Sequence, residues 1–410
     1  MQDFRKNISL EKEHNYKMSD TDTASLNEEK KLTLHLIAFD VPFPPNYGGI
    51  VDVFYKLKSL HQQGLKIIYH CFYYAGHNPP NAELEKYCEK IFYYKRDKQY
   101  VKLFFGLKPY VVATRQHKDL LMNLVNDEHP IFFDGLQTCF YLNHPNLKNR
   151  KKYVRANNIE HEYYLELAKV ERKFFKRWYL KREARRLARF ETELAGADAI
   201  FAVARMELKH FEKYARTEHV PPFFKNEHEK IEVNKSGAQG PYILFQGNLA
   251  VRENELAAKF ILNKIAPLIN HEVVIAGKSP SNWLKNEALI TENARMIASP
   301  AGVQMDALIQ YAKINLLITF QQTGIKLKLL HALESGKHII INSLMDDDGI
   351  FSELCHIRDE PEEIAKKIND LMKVEFTQEE ADKRSILFST YFNNEKNAKK
   401  IIDVIFDSED

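Results

Sequence analysis

LTLHLIAFDVPFPPNYGGIVDVFYKLKSLHQQGLKIIYHCFYY, residues 32–74, decides the fold class. Its first eight residues form an apolar, strand-like run. Residues 50–63 then repeat apolar side chains at helical spacing and stop at Gly64. Residues 65–74 return to a strand pattern rich in Ile, Tyr and Phe. A strand, a crossover helix and a second strand predict parallel pairing.

The alternation continues outward from this unit. Residues 90–95, 130–135, 151–156 and 198–204 are further strand candidates. The charged, proline-bearing stretch VPPFFKNEHEKIEVNKSGAQGP (220–241) interrupts them and reads as a linker. The pattern then restarts with YILFQGNL (242–249), a helix over 255–269, EVVIAGK (272–278), a helix near 304–312 and INLLITF (314–320). The segment TGIKLKLLHALESGK (323–337) and the strand HIIIN (338–342) follow. The expected fold is α/β, with two successive α/β domains at 32–222 and 241–385 and a linker at 223–240. A polar tail at 1–31 is expected to be disordered, and a helical segment at 386–410 ends the pattern.

Composition narrows the class. The chain of 410 residues is 44% apolar and 12% aromatic, as in globular proteins. Its net charge of +3 is too small to imply nucleic acid. No apolar run reaches the ~18 residues that span a bilayer, and the start carries no secretory leader. Cys71, Cys88, Cys139 and Cys355 have no C-x-x-C spacing, so no disulfide framework or metal site is expected, and a cytoplasmic location fits. DDDG (346–349) reads as a solvated turn rather than a metal site.

Three stretches fall where strands of an open sheet end, the usual ligand edge. PPNYGG (44–49) brings Gly48 and Gly49 to the start of a helix, where backbone N–H groups attract anions; an ordinary tight turn is the plainer alternative. FQGNLAVREN (245–254) holds the same place in the second domain, with Gly247, Asn248 and an arginine, Arg252, able to fork onto phosphate. RANNIEHEYY (155–164) ends a strand with Arg155, two asparagines, Glu160 and His161, groups expected to face the cleft. His161 can serve a sugar hydroxyl or carry a proton, or simply start a helix in solvent. In TGIKLKLLHALESGK, ideal helical spacing puts Gly324, Lys328, His331 and Ser335 on one face, leaving Leu329, Leu330, Ala332 and Leu333 for the core. A basic helix over 169–189 carries Phe174, Phe175, Trp178 and Tyr179 among ten cations. It can pack on its own domain or lie on an anionic membrane.

Together PPNYGG, RANNIEHEYY, LFQGNL…EN, VVIAGKSP (273–280) and TGIKLKLLHALESGK resemble a GT-B glycosyltransferase, most closely the Bacteroidetes-type group 1 enzymes of glycosyltransferase family four. The resemblance runs from about residue 32 onward. It implies two Rossmann-like domains facing across a cleft, with the C-terminal helix crossing back to the first. It implies an acceptor bound mainly to the first domain and a nucleotide-sugar bound to the second, with no cofactor and no metal. A glycan or lipid-linked acceptor and polysaccharide biosynthesis fit, at the inner face of the cytoplasmic membrane. It places His161, Arg252 and Lys326 as catalytic groups. Gly48, Gly49, Gly247, Asn248, Gly277, Thr323, Gly324, Ile325, Lys328 and His331 become donor-binding.

One departure stands out. The family carries two glutamates eight residues apart around this helix, and the matching positions here are Thr323 and His331. A non-catalytic nucleotide-sugar-binding protein and a nucleotide-sugar epimerase of the same fold therefore stay open as alternatives.

Overall fold

The computed structural model describes residues 32–45, 48–98, 106–225, 241–320, 326–346 and 349–407. Two parallel sheets carry the molecule. The first contains β1 (Thr33–Ala38), β2 (Lys66–Tyr73), β3 (Lys90–Lys95), β4 (Ile131–Asp134), β5 (Lys152–Ala156), β6 (Ala199–Ala202) and β7 (Thr217–His219), in the order β3-β2-β1-β4-β5-β6-β7. The second contains β8 (Tyr242–Asn248), β9 (Glu272–Lys278), β10 (Ala294–Ala298), β11 (Ile314–Leu317), β12 (His338–Ile341) and β13 (His356–Ile357), in the order β10-β9-β8-β11-β12-β13. Strands β4, β5, β6, β11 and β12 are buried on both faces, and their polar members Asp134, Lys152, Arg155, Asn315 and His338 are buried with the apolar ones. Each sheet has one core on either side, such as Phe132, Tyr153 and Phe201 below the first and Ile37, Phe133 and Val154 above it.

The order of strands reverses at β1/β4 in the first sheet and at β8/β11 in the second. These switch points open a crevice at the carboxyl ends of the strands. The loop containing PPNYGG leaves β1 there, and the segments after β8 and β11 leave the second sheet there.

Several local expectations change. The first helix is Gly48–Gln62, so both glycines belong to its opening turn. The helix expected over 255–269 is α-helical at Arg252–Phe260, π-helical at Ile261–Ile265 and 3-10 at Ala266–Leu268, where Pro267 cannot donate the next helical bond. The basic run is not one helix. Glu171 adopts an extended backbone between helices Glu160–Val170 and Phe174–Phe190. Its carboxylate accepts the Lys173 N–H at 3.0 Å and pairs with Lys176 at 2.6 Å, which starts the second helix. The helix of TGIKLKLLHALESGK is Leu327–Ser335, with Lys326 at its cap. Gly324 thus lies before it, and residues 323–325 are outside the described residues.

Arg155 is a further correction. It does not face the cleft. Strand alternation turns it into the layer beside the first helix, fully buried. There its guanidinium bonds Asp52 at 3.0 Å and the carbonyls of Val220 at 2.6 Å and Pro221 at 3.0 Å. Lys56 bridges Asp52 at 3.0 Å and Asp134 at 2.8 Å. Burial opposes the Asp52 charge, but Arg155 and Lys56 outweigh it and hold its carboxyl at about 2. Asp52 also accepts the Phe223 N–H at 2.8 Å, so this network fixes the chain as it leaves the first sheet.

The chain passes between the sheets twice. Phe224 joins the second domain's core, and Asn394 brackets it, accepting from its N–H at 3.4 Å and donating to its carbonyl at 2.8 Å. Helix Asn394–Phe406 then packs Ala398, Ile401 and Ile405 into the first domain's core. Tyr153 donates to the Ile405 carbonyl at 3.1 Å, and Lys400 pairs with Glu218 at 3.0 Å.

Candidate active site

The second sheet supplies the more structured side of the crevice. Gly247 of β8 and Gly277 of β9 are register partners. A Cβ on Gly277 would lie 1.9 Å from the Gly247 carbonyl, so the two backbones approach more closely than any side chain allows. The β8 end is braced by Asn254, which donates to the Asn248 carbonyl at 3.1 Å, while Asn248 accepts the Ala250 N–H at 3.2 Å. Helix Arg252–Phe260 begins here without a side-chain cap, leaving N–H groups of its first turn for a ligand.

Lys328 reaches this point from the neighbouring helix. Its ammonium donates to Asn254 at 3.1 Å and to the Ile318 carbonyl at 3.2 Å, and lies 5.4 Å from the Phe245 ring centre. Burial lowers its pKa, Glu253 opposes that, and Lys326 adds to it, so the two lysines share one field. Glu253 is itself buried and accepts Thr319 Oγ1 at 2.6 Å. Asn342 clamps the same Thr319 through its N–H at 3.1 Å and its carbonyl at 2.7 Å.

Arg252 sits at the first position of its helix, ion-paired with Glu255, which also accepts Ser281 Oγ at 2.5 Å. His331 turns elsewhere. Its Nε2 pairs with Asp306 at 3.0 Å, on helix Gly302–Tyr311. Lys328 and His331 therefore serve different neighbours despite their spacing.

On the first domain's side, Gly48 and Gly49 open the first helix at the β1 edge. Asn78 holds the loop before it through the carbonyls of Val41 and Pro44, each at 3.0 Å. Beside β1 at the carboxyl edge, Gly135 has φ +92 and would press a Cβ to 2.3 Å from Gln137 Oε1. Gln137 Nε2 donates to Glu160 at 3.2 Å. The buried oxygens Gln137 Oε1, Asn157 Oδ1 and Asn158 Oδ1 have no hydrogen-bond partner. Burial, then the Glu191 charge, pushes the Glu160 carboxyl up to about 7. The two asparagines and Glu160 belong to the stretch that the sequence marks as a strand end, whereas Gln137 carries no sequence signal and only the fold brings it to Glu160. His161, the next residue, bonds Glu191 through Nδ1 at 2.8 Å, and Glu191 binds His210 at 3.0 Å on its other oxygen.

The two sides meet. Helix Glu160–Val170 touches helix Arg252–Phe260. Burial, then the charges of Glu160 and Glu253, raise the Tyr163 phenol to about 12.

Solved structures share this fold across most of the chain. A sucrose-phosphate synthase from Thermosynechococcus elongatus superposes with a TM-score of 0.63 at 12% identity, covering 91% of this chain and 98% of that one. A trehalose-6-phosphate synthase from Burkholderia multivorans gives 0.62 at 7% identity, over 92% and 98%. The fold is GT-B. An E. coli structure of the same GT-B kind, described as bound with UDP-2-fluoro glucose, gives 0.61 at 11% identity, over 91% and 99%. Residues 240–374 match the family model for group 1 glycosyl transferases. An uncharacterised 44.6 kDa protein in the cps region of Klebsiella pneumoniae is 22% identical over 324 residues, 75% of this chain and 82% of that protein. The fold and the match together support glycosyl transfer. Among the described residues, no helix is long and apolar enough to cross a membrane.

Proposed function

We propose that the protein is a glycosyltransferase moving a sugar from a nucleotide-sugar to a glycan, lipid-linked or protein-linked acceptor, with retention and with no metal ion on the diphosphate. One observation carries this reading. Lys328 converges with the uncapped start of helix Arg252–Phe260 at the β8/β11 switch point, within the region that matches the group 1 model. A departing nucleoside diphosphate gains negative charge in the transition state, and prearranged cations and N–H donors stabilise it there. Lys328 and Lys326 supply the cations. Gly48 and Gly49 offer backbone N–H groups from the opposite wall. Arg252, held by Glu255, orients the start of its helix.

The acceptor lies against the first domain in this reading. The unpartnered oxygens of Gln137, Asn157 and Asn158 receive its hydroxyl protons, and Glu160, raised to about 7 by burial and then by the Glu191 charge, exchanges a proton near neutral pH. The cps-region relative favours polysaccharide assembly as the setting. Phe174 and Phe175 stay 74% and 83% exposed in the basic helix, which favours contact with an anionic membrane.

The test is a transfer and hydrolysis assay over UDP-, GDP-, ADP- and CMP-sugars, run beside thermal shift. Sugar release or transfer from one nucleotide class supports the proposal. No stabilisation by any nucleotide overturns it. Nucleotide-sugar binding without transfer is a second reading, favoured because His331 holds Asp306 where the resemblance expects a glutamate. Stabilisation without turnover, with acceptor glycans supplied, selects it.

A further inference from the structure

Three segments distant in sequence converge behind the start of helix Glu160–Val170. His161 lies in its first turn, Glu191 follows helix Phe174–Phe190, and His210 sits on the short helix Leu208–Phe211. The Glu191 side chain is 1% exposed. Its Oε1 lies 2.8 Å from His161 Nδ1 and its Oε2 lies 3.0 Å from His210 Nε2. The His161 N–H adds a long contact to Oε1 at 3.4 Å. The ligand-capable atoms of all three side chains lie within 4.8 Å of one another. Among the described residues, no lysine or arginine is paired with Glu191, and the buried acid Glu160 is close enough for Glu191 to raise its pKa. A buried carboxylate in that setting requires positive charge at close range.

We propose that His161, Glu191 and His210 bind one divalent transition-metal cation of the zinc class. Imidazole and carboxylate are the donor types such ions take. The present separations of 2.8 and 3.0 Å are hydrogen-bond distances; neighbouring donors around a tetrahedral ion at about 2.1 Å sit about 3.4 Å apart, so the side chains spread by about half an ångström as the ion replaces the shared protons. On binding, both imidazoles enter neutral, and any proton shared between a ring and the carboxylate leaves to solvent. The imidazoles are 21% and 16% exposed, so water completes the coordination sphere from the open side. The ion joins the base of the two-helix hairpin bearing Phe174 and Phe175 to the segment after β6. Its role is therefore that of a structural clamp, separate from the diphosphate site around Lys328.

The experiment uses the full chain, purified without a histidine tag and stripped by chelator. It is titrated with Zn²⁺ by calorimetry and with Co²⁺ by visible absorption. The expected result is one equivalent bound, a saturable cobalt ligand-field band and a higher thermal midpoint with metal. Glu191→Gln and His210→Gln each weaken affinity by at least the roughly 10–100-fold that loss of a mere outer-shell partner costs. If Glu191→Gln does not fold, His210→Gln, at a partly exposed position, carries the comparison. Absence of a saturable cobalt band overturns the proposal, as does affinity unchanged in the folded variants. Loss of stability in Glu191→Gln, with no metal bound by the wild type, identifies a hydrogen-bonded triad and also overturns it.

Discussion

At the scale of single residues, Lys328 and Gly277 separate binding from architecture. Lys328 has its polar contacts at the ligand edge, to Asn254 and a strand carbonyl. Lys328→Met should lower kcat by about 10²–10³, the usual effect of losing one charge-stabilising donor, while far-ultraviolet dichroism stays native. Gly277→Ala should act differently. Its Cβ would meet a carbonyl of the partner strand, so stability should fall by about 1–3 kcal/mol or more in urea denaturation, and any activity loss should follow unfolding. The glycines and Lys328 were legible in the sequence because strand ends and helix starts announce themselves locally. Their partners were not. Asn254 and Ile318 come to Lys328 from separate crossovers. Glu191 and His210 lie 30 and 49 residues beyond His161, where no spacing rule applies.

At the scale of elements, helix Phe174–Phe190 has two halves. Leu180, Ala184, Leu187 and Phe190 are buried against the first domain, whereas Phe174, Phe175 and Trp178 are exposed. The sequence pattern fitted either use, because periodicity cannot say where a packed stripe ends. Phe174→Ser with Phe175→Ser should abolish flotation with anionic vesicles at low salt and leave thermal stability unchanged; equal flotation by variant and wild type would remove the membrane contact. Strands β1, β2 and β3 contain a second feature. His35 Nδ1 lies 2.8 Å from His70 Nε2, and His70 Nδ1 lies 2.8 Å from the Tyr94 hydroxyl. Burial, reinforced by His35, lowers the His70 pKa well below its ordinary value. The folded chain therefore favours neutral His70, and its contribution is present above the ordinary imidazole range of about 6.5 and lost as pH falls below it. Thermal midpoints measured from about pH 7.5 to about pH 5.5 should decline for the wild type and decline less steeply for His70→Gln.

At the scale of the whole molecule, the parallel sheets and their switch points followed from alternating strands and helices, and the GT-B layout rests on them. How the two halves are tied did not, since it depends on Arg155 holding Val220 and Pro221 and on Asn394 holding Phe224. A chain ending at residue 392 loses the seat-filling side chains Ala398, Ile401 and Ile405. It should aggregate or melt the first domain at lower temperature, while the second domain's transition persists in differential scanning calorimetry.

That seat has a consequence for biosynthesis. Translation delivers β7 and then the whole second domain before the helix Asn394–Phe406 that closes the first core. The half made first is thus the half finished last, and its apolar groove stays open on the ribosome for the time needed to make about 170 further residues. At roughly 5–20 residues per second this is an interval of many seconds.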